Sequence, residues 1–414
     1  MRILKKFVQG IFILSCLAAI GLSQEKAFPQ DMPDEKPDRP LSAAVERNYD
    51  AYLAPRPEDN ELFTQFKYTK LKGFDYHGGD GTITRRDPSK IIFHNGKYYV
   101  WYTYRNTPTP PRGPQNATET IPARDWDLCD IWYATSEDGF TWQEQGIAIP
   151  RPPKPHPGWR SVSTADILIW EEKYYLYYQA FKVDPSDRGD DCPVAVSVAD
   201  SPDGPWTPTN QLVIPNGAPD AWDGFSIHDP YPLVYQGKIY LYYKSDFARK
   251  KEWVRMQGLA IAEDPLGPFE KHPLNPVNNS GHETTLFPFM EGIAALLIKD
   301  GNEHFTIQYA PDGVNFEIAA ITELLPIAAG PFVPDAFTDT QYGRGISWGL
   351  CHNTQVKGHT ILMRFDCDLS LDVDDPEMKK HKYSYPPEFY YQHGLSRTQR
   401  ERIAGETREK PRVK

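Results

Sequence analysis

The chain has 414 residues, with 45 Lys and Arg against 56 Asp and Glu, a formal net charge of −11. It is 40% apolar and 13% aromatic and carries 39 prolines, which suits a loop-rich β protein and excludes a long coiled coil. A net acidic chain whose basic residues cluster only in a short tail is also excluded as a nucleic-acid binder, because phosphate neutralisation supplies most of that affinity.

The N-terminus reads as an address. Arg2, Lys5 and Lys6 precede the apolar run from Phe7 to Leu22, and Gly21 and Ser23 put small residues at −3 and −1 of a cut before Gln24. This predicts a signal peptide over 1–23 and a periplasmic or secreted protein, with an acylated Cys16 or an uncleaved anchor as alternatives. Residues 24–40, rich in Pro, Asp, Glu and Lys, read as a linker. In the arm 41–66, Ser42 is a fit N-cap for a short helix with Ala43, Ala44, Val45, Tyr49 and Tyr52 at helical spacing. So short a helix needs a surface to dock on, either on its own chain or on a second copy.

From residue 67 to 385 one pattern organises the chain. Asp87 opens Pro88 to His94, a turn at Asn95-Gly96, and the aromatic strand Lys97 to Tyr102. The same shape returns with Asp166 before Ile167 to Tyr178 and with Asp229 before Pro230 to Tyr243; it returns less closely with Glu283 before Thr284 to Ile298 and with Asp335 ahead of Gly345 to Leu350. A second hairpin follows each of the first four, marked by Asp138-Gly139, Asp203-Gly204, Asp264 to Gly267 and Asp312-Gly313. Two hairpins per unit make a four-stranded blade, so five units predict an all-β, five-bladed β-propeller. The tail 386–414 is basic and is read as a solvated terminal helix.

In a propeller the first strand of each blade lines the central channel, so five acidic residues at those starts are expected to converge at one mouth. Asp before Pro is also a common turn residue. Recurrence at equivalent places favours a site in which like-charge repulsion raises some of the pKa values. Carboxylates walled by Trp and Tyr suit a carbohydrate, and hydrolysis of a glycosidic bond needs a proton donor and a group that activates water or attacks carbon.

Ser42-Ala43-Ala44-Val45-Glu46-Arg47 resembles the S-x-A-x-x-R motif of family 117 glycoside hydrolases. Arg85-Arg86-Asp87-Pro88-Ser89-Lys90, Thr164-Ala165-Asp166, His228-Asp229-Pro230 and Gly281-His282-Glu283-Thr284 extend the likeness over nearly the whole chain after the signal. The resemblance implies a five-bladed propeller, a domain-swapped homodimer joined through the N-terminal helical arm, and an exo-acting, inverting α-1,3-(3,6-anhydro)-L-galactosidase acting on neoagarobiose and neoagaro-oligosaccharides. It implies Asp87 as general base and His282 as general acid, with Glu283 as the rival acid, and Asp229 and Glu283 as modulators. Asp166, Trp126, Thr164, Gln179 and His228 are implied around the sugar. No cofactor is required, and a divalent cation near the channel is allowed.

Two other functions fit the same residues. A propeller arabinosidase or xylosidase would use Asp87, Asp166 and Asp229 or Glu283, and a non-catalytic sugar-binding propeller would use the aromatic walls alone. Cys129, Cys192, Cys351 and Cys367 lack metal-ligand spacing, and in an oxidising compartment they could pair.

Overall fold

The aromatic hairpins of the repeat are present and lie side by side in antiparallel sheets. The structure, a computed structural model, describes residues 35–49, 60–182, 192–218, 221–224, 226–248, 253–301, 303, 305–334, 337, 342–353 and 359–380. The predicted signal with Cys16, most of the linker, Tyr52, Asp335 and the basic tail lie outside these residues.

In the first sheet, Ile83–Arg86 and Ile92–His94 both pair with Lys97–Asn106, which continues to Asp130–Ser136 and Gln143–Ile149. The second runs Ser161–Trp170, Lys173–Phe181, Val194–Ala199, Thr207–Ile214; the third runs His228–Tyr235, Lys238–Ala248, Trp253–Ala262, Glu270–Lys271. A two-stranded ribbon, Ser280–His282 with Lys299–Gly301, precedes an eight-stranded sheet. That sheet holds two runs. One is Thr285–Met290, Gly292–Leu297, Thr306–Ala310, Glu317–Ile321; the other is Ile327–Pro331, Gly343–Asn353, Ile361–Ser370, Lys67–Lys70. They join where Phe289 and Met290 pair with Arg344 and Gly343. The strand nearest the N-terminus therefore completes the last run, from Lys67 opposite Asp366 to Lys70 opposite Met363.

The core lies between neighbouring sheets. Trp101 and Tyr102, Leu176 and Tyr177, and Tyr242 and Tyr243 are buried on second strands covered on both faces, whereas the outer strand Thr207–Ile214 is largely exposed. A buried tyrosine must place its hydroxyl, and here it reaches the turn of the next sheet. Tyr177 donates to Pro265 O at 2.7 Å and Tyr242 to Gly313 O at 2.7 Å, while Tyr99 lies 3.3 Å from Asp203. This links the two halves of the repeat: the aromatic strand of one sheet is satisfied by the Asp-Gly or Pro-Gly turn of its neighbour.

Helix is scarce. Ala43–Arg47 is α-helical, capped by Ser42 Oγ, which accepts from Val45 N at 3.3 Å; among the described residues two 3₁₀ turns are the only other helical pieces. No helix among the described residues is long and apolar enough to cross a membrane. The pairing that an oxidising compartment would allow is not made: Cys129, Cys192, Cys351 and Cys367 are buried and form no disulfide.

Candidate active site

Five chain segments meet at one cavity of about 40 Å³. Each presents one residue in the left-handed region of backbone space: Asp87 (φ 49°), Thr164 (47°), Asp229 (49°), Glu283 (60°) and Ala328 (47°). For a residue with a Cβ that conformation costs about 1–2 kcal/mol, and strain of this kind gathers at functional sites. Three of the five sit in bulges, where strand register jumps between Ser163 and Asp166, His228 and Tyr231, and Ile327 and Gly330. The extra residue in a bulge re-aims a side chain.

This geometry corrects the expected ring of five acids. The position equivalent to Asp87 in the second sheet is Thr164, not Asp166, because the bulge displaces the pairing. In the last run the place is taken by Ala328; Asp335 lies outside the described residues. Among the described residues, Asp87, Asp229 and Glu283 are the carboxylates at these left-handed positions, and Asp166 lines the same cavity.

These carboxylates are paired. Arg86 Nε lies 2.8 Å from Asp87 Oδ2 and Nη2 3.2 Å from Oδ1, and the same guanidinium reaches Glu283 Oε1 at 3.5 Å. Thr103 and Thr164 hydroxyls each donate to Asp87 Oδ2 at 3.3 Å. Lys244 Nζ stands 3.3 Å from Asp229 Oδ2, which also accepts from Glu283 N at 3.4 Å. Burial works against ionisation of Asp87, but the Arg86 charge and the His352 contact outweigh it and hold its carboxyl well below the usual range. The expected upward shift from like charges is therefore reversed at Asp87.

His352 lies fully buried between two of the acids, with Nδ1 3.1 Å from Asp87 Oδ1 and Nε2 3.4 Å from Glu283 Oε1. Its Nδ1 is also 3.4 Å from Asp87 N. The two Nδ1 contacts need opposite tautomers, and we assign the proton to the shorter one, so that Nδ1–H donates to the carboxylate. Asp87, Glu283 and His352 offer ligand atoms all within 4.8 Å of one another, and two carboxylates with an imidazole suit a transition-metal dication. The donor set fits. The Arg86 guanidinium contacts the same two carboxylates.

Deeper in the cavity Asp166 is consumed by the fold. Lys90 N donates to its Oδ1 at 2.8 Å and Ile167 N to the same oxygen at 2.9 Å, and Lys90 Nζ is ion-paired with Oδ2. The ammonium also sits 3.8 Å over the Tyr231 ring. Burial raises the Asp166 pKa and pushes Lys90 down to about 8.

Of the other expected residues, Trp126 is half-buried, its ring against the Arg86 guanidinium at 5.2 Å, and it is not among the residues lining the cavity. Gln179 is buried and accepts from Ser163 at 3.2 Å, beside Thr164. His228 immediately precedes Asp229, opposite Lys244. The backbone of His282 pairs with Lys299 and leads into Glu283; its side chain is outside the described set. Arg86, Lys90, Lys244 and His352 had no assigned role in the sequence. For Arg86, Lys244 and His352 the signal is positional: Thr103, Gln179 and Lys244 each end an aromatic run and pair with the residue just before a left-handed position (Arg86, Ser163 and His228), as His352 pairs with Ile327.

Three carboxylates meeting at one cavity of an all-β, propeller-like fold, two of them backed by a buried imidazole, are acid–base equipment of the kind that cleaves bonds between sugars. The structure of Zg3597, a family 117 glycoside hydrolase produced by the marine bacterium Zobellia galactanivorans, is similar at 63% identity, covering 80% of this chain and 98% of that one with a TM-score of 0.75. The chain belongs to glycoside hydrolase family 117. Two more distant structures, an RGII complex of BT0996 and one described only as a glycoside hydrolase, share the fold at 11% identity, each covering 79% of this chain and 96% of the other, with TM-scores of 0.56 and 0.54. No family model and no curated relative matches the chain.

Proposed function

We propose that this family 117 enzyme is an exo-acting, inverting hydrolase that releases 3,6-anhydro-L-galactose from the non-reducing end of neoagarobiose and neoagaro-oligosaccharides. The observation that carries the reading is the meeting of Asp87, Asp229 and Glu283 in one cavity. The substrate rests on the motif resemblance.

In this mechanism Asp87 is the base. Held ionised by Arg86, it is a weak base, which suits a transition state of oxocarbenium character where the C–O bond is largely broken before water attacks. Water forms the new bond to the anomeric carbon and gives its proton to Asp87, while the leaving galactose oxygen takes a proton from the acid. Inverting enzymes separate their two carboxyl groups by about 6.5–9.5 Å. Asp87 and Glu283 each place one carboxylate oxygen within 4.8 Å of the other, and the Arg86 guanidinium contacts both. The resemblance assigns the acid to His282, with Glu283 as the rival acid and Asp229 orienting the substrate. A divalent cation would be held by Asp87, Glu283 and His352 and would supply positive charge next to the base.

We extend the proposal to the assembly: five blades, export by the N-terminal signal, and a homodimer in which the helix Ala43–Arg47 is delivered by a partner to the surface it covers here. Incubating the purified protein with neoagarobiose should yield galactose and 3,6-anhydro-L-galactose with inversion at the anomeric carbon. No release over a wide pH range would overturn the substrate assignment.

A further inference from the structure

The S-x-A-x-x-R segment takes no part in the chemistry above, yet it is tied to the piece of chain that carries the acid. Asn48 Nδ2 donates to Asn279 Oδ1 at 2.8 Å, and Asn279 Nδ2 donates to Ala44 O at 2.6 Å. Asn279 is fully buried and immediately precedes the ribbon strand Ser280–His282. On the other strand, Arg47 grips Glu303 with two hydrogen bonds, Nε to Oε1 at 2.7 Å and Nη2 to Oε2 at 3.0 Å. Glu303 is 2% exposed, two residues beyond the ribbon strand Lys299–Gly301, and is held from behind by Gln308 Nε2 at 2.9 Å.

We propose that Arg47 and Asn48 are positioning residues: the N-terminal helix clamps both strands of this ribbon at one end and so fixes His282 and Glu283 at the other. The route is short. From Asn279 to Glu283 is about 13 Å of extended chain at most, and Thr284 Oγ1 donates back to Ser280 O at 3.1 Å, closing the turn that contains Glu283. The paired fork between Arg47 and Glu303 adds directionality that a lysine would lack. The clamp works the same way whether the helix comes from its own chain or from a partner. It rests on the reading of His282 and Glu283 as part of the catalytic site.

The test compares amide hydrogen exchange and steady-state kinetics of the full chain with Arg47→Ala, Arg47→Lys, Asn48→Ala and a control, Arg39→Ala. Arg39 anchors the same segment to Pro273 O and Asn275 O, upstream of the ribbon. Arg47→Ala and Asn48→Ala should speed exchange over 280–282 and 299–301 while the four-stranded sheets stay protected. They should also lower kcat on neoagarobiose tenfold or more with KM changed less than threefold, and Arg39→Ala should stay within twofold of wild type in kcat. Arg47→Lys keeps the charge without the fork and should fall between; it supplies the reading if Arg47→Ala does not fold. Unchanged ribbon exchange in Arg47→Ala or Arg47→Lys overturns the clamp, and faster exchange with unchanged kcat overturns positioning. A wild type that turns over no neoagaro-oligosaccharide sinks the functional reading alone, and the exchange comparison still decides the clamp.

Discussion

His352 Nδ1 lies 3.1 Å from Asp87 Oδ1, so an imidazole from the last run of strands orients the carboxylate that follows the first strand of the first sheet. The contact is made in a site where both side chains are nearly sealed from water, and hydrogen bonds there fix direction more firmly than in solvent.

Replacing His352 by Ala should therefore lower kcat by roughly tenfold to a hundredfold, the scale of a misplacement near 1 Å, with a smaller change in KM. His352→Gln, which retains a donor, should recover part of the loss. Steady-state kinetics on neoagarobiose reads both, and an unchanged kcat in the Ala variant would show that Asp87 is oriented without it.

Asp87→Asn is expected to cost about 10²–10⁴ in turnover, the range for a positioned acid or base. It should also destabilise the protein by about 1–3 kcal/mol, because the buried Arg86 loses the nearest of the carboxylates it faces while Glu283 remains at 3.5 Å. Denaturant unfolding checks the second half. A double variant, Asp87→Asn with Arg86→Met, should regain much of the stability and none of the activity.

The Lys90–Asp166 pair gives a pH signature. Lys90 titrates near 8 in the folded protein against 10.5 ordinarily. Between those values the unfolded chain binds a proton that the folded one has released, so the Lys90 contribution to stability rises with pH across this window. The double variant Lys90→Met with Asp166→Leu should lose that rise and be neutral to about 4 kcal/mol more stable at pH 7, whereas Lys90→Met alone should cost about 3–5 kcal/mol. Unfolding midpoints from pH 7 to 10 decide it; a wild type whose stability falls relative to the double variant over this window contradicts the assignment.

Ala328 holds φ at 47° with a Cβ. Ala328→Gly relieves about 1–2 kcal/mol of left-handed strain against an entropy cost of about 0.5–1 kcal/mol. The melting temperature should stay level or rise slightly. A marked drop would mean that the methyl group packs more tightly at the cavity than the backbone suggests.

Much of this architecture could be read from the chain alone. Tyr174 to Tyr178 after Glu171-Glu172-Lys173, and Tyr240 to Tyr243 after Gln236-Gly237-Lys238, form the hairpins their turns and alternation required. Register at the site was harder. Asp166 looks like the equivalent of Asp87 when strands are counted without interruption, and only a bulge after Ser163 makes Thr164 the true counterpart. His352 was harder still, because it belongs to a strand whose partner, Ile327–Pro331, carries no acidic residue to mark it. Arg86 stood next to Asp87 in plain sight; nothing in one dimension says that it would fold back on its neighbour instead of pointing away.

The pairing of Lys67–Lys70 with the strand Ile361–Ser370 has a temporal meaning. A chain emerging from the ribosome carries its first strand for nearly three hundred residues before the partner exists. Bringing such distant ends together costs about 5 kcal/mol in chain entropy, a slow logarithmic charge, but it can be met only after synthesis has passed Asp366. Until then the last run lacks its outermost strand and the nascent molecule exposes an open edge. Completion is a property of the finished chain, and a ribosome stalled short of that point would hold every lining residue of the cavity, through Ala329, without the two paired strands that complete the last run.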